Sequence, residues 1–144
     1  MKVYIKKLKE GAKLPTFGSD AAAGADLYAL LEETVTIAPR ATLLIPTGLS
    51  MELPKGFGGF IFARSGLATK RGLAPANKVG VIDADYRGEV MVSLYNQSDA
   101  PQRIENGERI AQLVILEVPQ VEFLETEELS DTLRGTGGFG STGK

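Results

Sequence analysis

Five short stretches of this chain hold residue types that could do chemistry. The richest internal one is Gly80-Val81-Ile82-Asp83-Ala84-Asp85-Tyr86-Arg87-Gly88-Glu89. Two acids, a tyrosine and an arginine crowd one turn there. The chain has no histidine and no cysteine. It therefore lacks the usual general base near neutral pH, the usual zinc ligands and any thiol nucleophile. Acid–base work falls to a carboxylate, and a metal would be a hard cation held by oxygens. Asp83, at the end of an apolar run, is the natural candidate for activating water. As plain structure the block reads as a β-hairpin, since Asp and Gly are turn formers.

Ala63-Arg64-Ser65-Gly66-Leu67-Ala68 sits where a strand enters a short helix. Backbone N–H groups, a serine hydroxyl and a guanidinium together make an anion site. Alternatively, Ser65 is an N-cap and Arg64 is merely exposed. Ala22-Ala23-Gly24-Ala25-Asp26-Leu27 brings a carboxylate to a strand start behind small residues, where a turn acid is an equal explanation. Gly107-Glu108-Arg109-Ile110-Ala111-Gln112-Leu113 opens an apolar strand. Gln112 there is either a buried polar contact to a ligand or a glutamine on an edge strand.

The fifth stretch is the tail, Arg134 to Lys144, in which five glycines and three hydroxyl residues surround Arg134 and Phe139. Glycine loses most entropy on ordering, and almost nothing apolar is present to bury. The segment offers bare N–H groups, hydroxyls, a cation and one aromatic face, the parts needed to wrap a phosphorylated nucleotide. It reads as a lid that orders over a ligand, against the plainer reading of a frayed end. Gly138 to Lys144 imitates the P-loop pattern G-x-x-x-x-G-K. With no strand before it, no Ser/Thr after the lysine and no helix to follow, that reading is rejected.

The elements that must position these residues are mostly strands. Short β-rich runs recur between turn signals: Val3-Tyr4-Ile5, Asp26 to Ala29, Val35 to Ile37, Thr42 to Ile45, Thr47 to Leu53, Gly58 to Phe62, Val79 to Ile82, Glu89 to Tyr95, Arg109 to Val118 and Val121 to Leu124. The 17 glycines and 7 prolines agree with many turns. Spacing of this kind predicts an all-β fold, an antiparallel sandwich or distorted jelly roll. Ser65 to Arg71 alone looks helical, stopped by Gly72. Glu125 to Leu133 is polar and acidic and reads as a linker to the tail. One β domain over residues 1–133 and a Gly-rich lid over residues 134–144 are expected from a chain of 144 residues.

The net charge of −2 gives no basic field for long nucleic acids. Met1 to Lys13 is basic but lacks the apolar run of a signal peptide, and no stretch reaches membrane-spanning length. A soluble cytoplasmic protein is the default expectation, with neither membrane nor long nucleic acid as partner.

Each stretch is a moderate signal alone, but their combination and order are specific. The chain resembles the trimeric dUTP diphosphatases (dUTPases) over nearly its whole length. The family's motifs occur in order as A-G-A-D-L at Ala23 to Leu27, R-S-G-L-A at Arg64 to Ala68, G-V-I-D-A-D-Y-R-G-E at Gly80 to Glu89, G-E-R-I-A-Q-L at Gly107 to Leu113, and R-G-T-G-G-F-G-S-T-G at Arg134 to Gly143. Ala25 is a departure, at a position often larger in relatives. It leaves Asp26 in place and reads as a packing change.

The resemblance implies a jelly-roll-like subunit, a homotrimer with active sites at subunit interfaces, and hydrolysis of dUTP to dUMP and pyrophosphate with Mg2+. Carried over by motif, Asp83 would deprotonate the water that attacks the α-phosphorus. Asp26 would hold the hydrated magnesium through its water. Arg64, Ser65, Gly66 and Gln112 would contact the phosphate chain, with Ser65 near the α–β bridge. Asn77 and the backbone of Val79, Gly80, Val81, Ile82 and Asp83 would read the uracil edge in a hairpin too tight for a 5-methyl group. Tyr86 would pack on the deoxyribose and exclude a 2′-hydroxyl, and Met91 would line the same pocket. Phe139 would stack on uracil, Arg134 would bind phosphate, and Gly140, Ser141 and Thr142 would close on the γ-phosphate, usually at a neighbouring subunit's site.

Two other readings share this scaffold. A dCTP deaminase would need a glutamate near the cytosine amino group, and such relatives are usually longer and lack this tail. A catalytically inactive nucleotide-binding regulator is the other, and the presence of Asp83, Asp26, Ser65 and the full tail counts against it.

Overall fold

A computed structural model describes residues 1–138. The described residues form eleven strands and one helix in the order β1 (Tyr4–Lys7), β2 (Thr16–Phe17), β3 (Ala25–Tyr28), β4 (Val35–Ile37), β5 (Thr42–Glu52), β6 (Phe57–Phe62), α1 (Ser65–Arg71), β7 (Leu73–Pro75), β8 (Gly80–Ile82), β9 (Val90–Asn96), β10 (Gln102–Ile104) and β11 (Arg109–Glu117). A four-stranded sheet runs β1-β5-β9-β7 and a five-stranded sheet β2-β3-β11-β6-β8, with a two-stranded ribbon of β10 and β4. All pairings are antiparallel. The expected all-β sandwich of jelly-roll type with one short helix is the observed architecture.

Period-two alternation builds the core. Along β9, Val90, Val92, Leu94 and Asn96 point inward while the residues between them are half-buried. Leu27 and Ile110 of the five-stranded sheet join Ile45 and Leu94 of the four-stranded sheet in a single apolar cluster. Fully burying one such side chain contributes about 1.5–3 kcal/mol. Asn96 is also fully buried, and its polar atoms are all satisfied. Its Nδ2 donates to Ile37 O at 3.0 Å and Ala100 O at 2.8 Å, and its Oδ1 accepts from Ser98 N at 3.0 Å.

Several local expectations are corrected. The runs on either side of Pro46 form one strand, β5, with a bulge between Pro46 and Leu49. A bulge is where an interior strand can carry a proline. Thr47 Oγ1 closes it by donating to Val90 O at 2.5 Å. Strands β2, β7 and β10 are too short to produce a readable alternation. Val121 to Leu124 is not a strand. Val121, Phe123 and Leu124 are 66%, 93% and 77% exposed, and among the described residues no strand pairs with them.

Helix α1 ends at Gly72, whose left-handed φ of 66° lets its N–H reach Ala68 O at 3.0 Å. Arg64 holds the N-cap position with extended backbone and no side-chain cap. Ser65 is the first helical residue, which removes the N-cap explanation for its hydroxyl. Arg71, in the last turn, fastens the helix to the β10–β11 region. It pairs with Glu108, donates to Arg103 O, and gives Nε to Gln102 Oε1 at 3.2 Å.

Candidate active site

The segment after β8 is not a hairpin. Strand β8 pairs with β6 in the five-stranded sheet, whereas β9 pairs with β5 and β7 in the other. Residues 83–89 therefore cross between sheets. The crossing is pinned at several points. Tyr86 N donates to Asp83 O at 3.1 Å, and Arg87 donates to Ala84 O at 2.7 Å. Ser50 Oγ donates to Arg87 O at 2.8 Å, and Glu89 Oε1 accepts from Gly48 N at 2.8 Å. Both Ser50 and Gly48 belong to β5, so the bulged strand holds the turn that carries Asp83.

This crossing and the loop before β8 wall a cleft of about 480 Å3. Asn77, Gly80, Val81, Ile82, Asp83, Tyr86 and Met91 all line it, as do Glu89 and Ser93. Seven residues expected to hold a nucleoside thus share one cavity. Val79 is not among the lining residues; its N–H donates to Asn77 O at 2.7 Å and shapes the loop. Gly80 permits a close approach, since a Cβ there would lie 3.2 Å from Ile61 Cβ and 3.3 Å from Asn77 Nδ2. Val81, Ile82 and Asp83 also border a wider cleft of about 960 Å3 formed with Phe57, Phe60 and Val118. Asp83 is exposed on this rim and borders both clefts.

Asp26, Arg64, Ser65, Gly66 and Gln112 come together elsewhere, around a smaller cleft of about 270 Å3. Asp26 Oδ1 accepts from Arg64 Nε at 2.6 Å, and Oδ2 from Arg109 at 3.1 Å. One carboxylate between two guanidiniums leaves a net positive cluster, suited to an anion. Gln112 Nε2 donates to Ala63 O at 2.8 Å, tying β11 to the entry of α1. Gly24 makes room for that side chain, because a Cβ there would lie 2.7 Å from Gln112 Oε1. Strand β11 lies between β3 and β6, so Gln112 is not on an edge strand. Ser65 and Gly66 are exposed at the cleft.

Arg109 lines this cleft although no role was expected for it. In a regular strand residues three apart face opposite sides. A register shift between Arg109 and Ala111 breaks that parity and turns Arg109 toward the cleft that Gln112 lines. The fourth motif contained the residue, but sequence spacing alone directed it away.

The two clefts share no lining residue. Strands β3 and β8 are three steps apart in their sheet, roughly 14 Å at about 4.8 Å per step. Arg134 reaches neither cleft; its Nε donates to Gly137 O at 2.8 Å. The expected contacts of Phe139, Gly140, Ser141 and Thr142 lie outside the described residues.

Among the described residues no three acidic side chains converge to cage a metal. Asp26 still has capacity for a hydrated ion. A carboxylate offers about four acceptor sites, and the two arginines use two of them. That donor set suits magnesium carried on a polyphosphate and its own water.

A family model described as dUTPase matches residues 10–143. The chain is 53% identical to a deoxyuridine 5'-triphosphate nucleotidohydrolase of Desulfitobacterium hafniense, over 97% of this chain and 93% of the relative. It is 50% identical to the Hydrogenobaculum sp. protein of the same name, over 99% of both chains. Among solved structures, the Staphylococcus bacteriophage 80alpha dUTPase with dUPNHPP superposes with a TM-score of 0.91 at 30% identity, covering 99% of each chain. A mutant dUTPase from phage phi11 of S. aureus, solved to reveal coordination of a structural Mg(II) ion, superposes at 0.82 with 25% identity, covering 91% of this chain and 100% of that one.

Proposed function

This chain belongs to the dUTPase family and hydrolyses dUTP, and from that premise we propose how its own residues carry out the reaction. The observation that carries the reading is one cleft lined by Asn77, Gly80, Asp83, Tyr86 and Met91, with Asp83 on its rim.

Uracil enters that cleft edge-on. Asn77 and the backbone of Val79 to Asp83 pair with its polar edge, and this backbone packs against C5 of the base so that a 5-methyl group is rejected. Tyr86 packs on the deoxyribose and Met91 closes the wall. Asp83 takes a proton from a water molecule as the water oxygen attacks the α-phosphorus. The bond from that phosphorus to the α–β bridging oxygen breaks, and pyrophosphate leaves with the electron pair. Positioning and charge neutralisation dominate such a transfer.

The phosphate chain lies against Arg64, Ser65, Gly66 and Gln112, with Arg109 adding a second guanidinium. Ser65 donates near the α–β bridge, where charge builds. Mg2+ would supply further charge neutralisation on the triphosphate, with Asp26 accepting a hydrogen bond from its water. The two clefts share no lining residue, and in this reading a working site combines the nucleoside cleft of one copy with the phosphate cleft of another. A homotrimer fits that requirement. The exposed Val121, Phe123, Leu124, Leu129 and Leu133, on a segment leaving the body, supply apolar surface for a neighbouring copy. The tail, residues 134–144, then acts as a lid: Phe139 stacks on uracil, Arg134 binds phosphate, and Gly140, Ser141 and Thr142 close over the γ-phosphate. The physiological result is a low dUTP pool, which keeps uracil out of DNA, and a supply of dUMP for thymidylate synthesis.

Pyrophosphate release from dUTP, compared with dTTP, dCTP and UTP, tests this directly. Fast release from dUTP alone is expected. Ammonia from dCTP, or tight nucleotide binding without turnover, would overturn it.

A further inference from the structure

Gly88 stands next to the residue assigned to the sugar, and its lack of a side chain has a specific consequence. A Cβ at Gly88 would strike Tyr86 Oη and lie 2.5 Å from Cζ and 2.9 Å from Cε2. All three atoms belong to one rigid phenol group, two of them to the ring itself, so the collision is with that group as a body. No left-handed φ explains a glycine here, since that conformation occurs at Gly11, Gly48, Gly56, Gly72, Gly107 and Gly135 among the described residues. The space itself is what Gly88 provides.

The segment on either side of Gly88 is anchored to strand β5. Arg87 O is held by Ser50 Oγ at 2.8 Å, Glu89 Oε1 by Gly48 N at 2.8 Å, and Val90 O by Thr47 Oγ1 at 2.5 Å. Thr47 is 1% and Ser50 6% exposed, so these anchors lie inside the body. The Tyr86 ring folds back across Gly88, and its Oη donates to Glu89 O at 3.1 Å. The ring is thus clamped by a hydrogen bond at its tip and seated against a position with no side chain.

We infer that Gly88 is a specificity-determining residue: it sets the position of the Tyr86 ring and thereby the rejection of ribonucleotides. The inference rests on the reading that Tyr86 packs on the deoxyribose. A ring displaced in either direction no longer matches a sugar lacking the 2′-hydroxyl. Turnover of dUTP then falls, while UTP, already excluded, does not lose in proportion.

The test compares kcat/KM for dUTP and UTP in the wild-type protein, Gly88→Ala, Tyr86→Ala and the double variant. Gly88→Ala is expected to raise the UTP-to-dUTP ratio by about tenfold. Tyr86→Ala should raise it at least as much. The double variant should equal Tyr86→Ala, because the added methyl then has no ring to displace. A wild-type ratio in Gly88→Ala, with a raised ratio in Tyr86→Ala, overturns the role of Gly88 and leaves Tyr86 on the sugar. Wild-type ratios in both variants overturn the assignment of Tyr86 and this inference with it. Should Gly88→Ala fail to fold, the double variant decides. If it folds with the ratio of Tyr86→Ala, the collision is with the ring. If it also fails to fold, the inference is wrong.

Discussion

Asp26 and Arg64, 38 residues apart in the chain, form an ion pair of 2.6 Å with side chains only 13% and 26% exposed. The pair joins β3 to the start of α1 and so links the first motif to the second. Arg109, from the fourth, donates to the other carboxylate oxygen. A carboxylate held this way orients two guanidiniums toward one cleft.

Asp26→Asn would turn an amide N–H toward one of those arginines, which have only donors to offer. The cleft should open and lose its hold on hydrated magnesium. We expect kcat/KM for dUTP to fall by about 10–100-fold, with a higher Mg2+ concentration needed for half-maximal rate. A steady-state Mg2+ titration of the variant measures both. An unchanged titration would remove Asp26 from the phosphate site.

Asp83→Asn keeps the shape of the cleft and removes the base. Turnover should fall by about 10²–10⁴-fold while dUTP still binds. Single-turnover kinetics beside calorimetric binding separate the two. Near-normal turnover would dismiss Asp83 as the base.

Removal of residues 134–144 leaves every strand and helix among the described residues intact, since the last strand ends at Glu117. Thermal unfolding and assembly size should match the full chain, and kcat should drop sharply. If the truncated chain unfolds, the tail is structural and the lid is wrong.

Asn96→Ala removes the buried amide that serves Ile37 O, Ala100 O and Ser98 N. Stranding those groups should cost about 2–4 kcal/mol. The shift of the urea midpoint measures it, and a change below about 0.5 kcal/mol, the ordinary range of surface substitutions, would contradict the buried network.

Much was legible in advance because it is local. The alternation through Val90 to Asn96 marks a strand on its own, and Gly72 ends α1 where a left-handed residue is needed. The residues of each motif also named their chemistry, since a chain without histidine leaves few candidates for a base. The misreadings have physical causes. Two runs around Pro46 looked separate because a bulge absorbs the proline. Val121 to Leu124 has the composition of a strand but no pairing partner among the described residues.

The amino-acid sequence by itself determined which side chains are available and where strands, turns and the helix can form, because propensity, periodicity and turn chemistry act over a few residues. Only the tertiary structure decided which of them meet. The bulge between Arg109 and Ala111 reverses strand parity and brings Arg109 beside Asp26. The crossing at residues 83–89 leaves one sheet for the other, which no local pattern distinguishes from a hairpin. Pairing between distant strands separates the nucleoside and phosphate clefts, and buried residues of strand β5 hold the turn in which the ring of Tyr86 rests on Gly88.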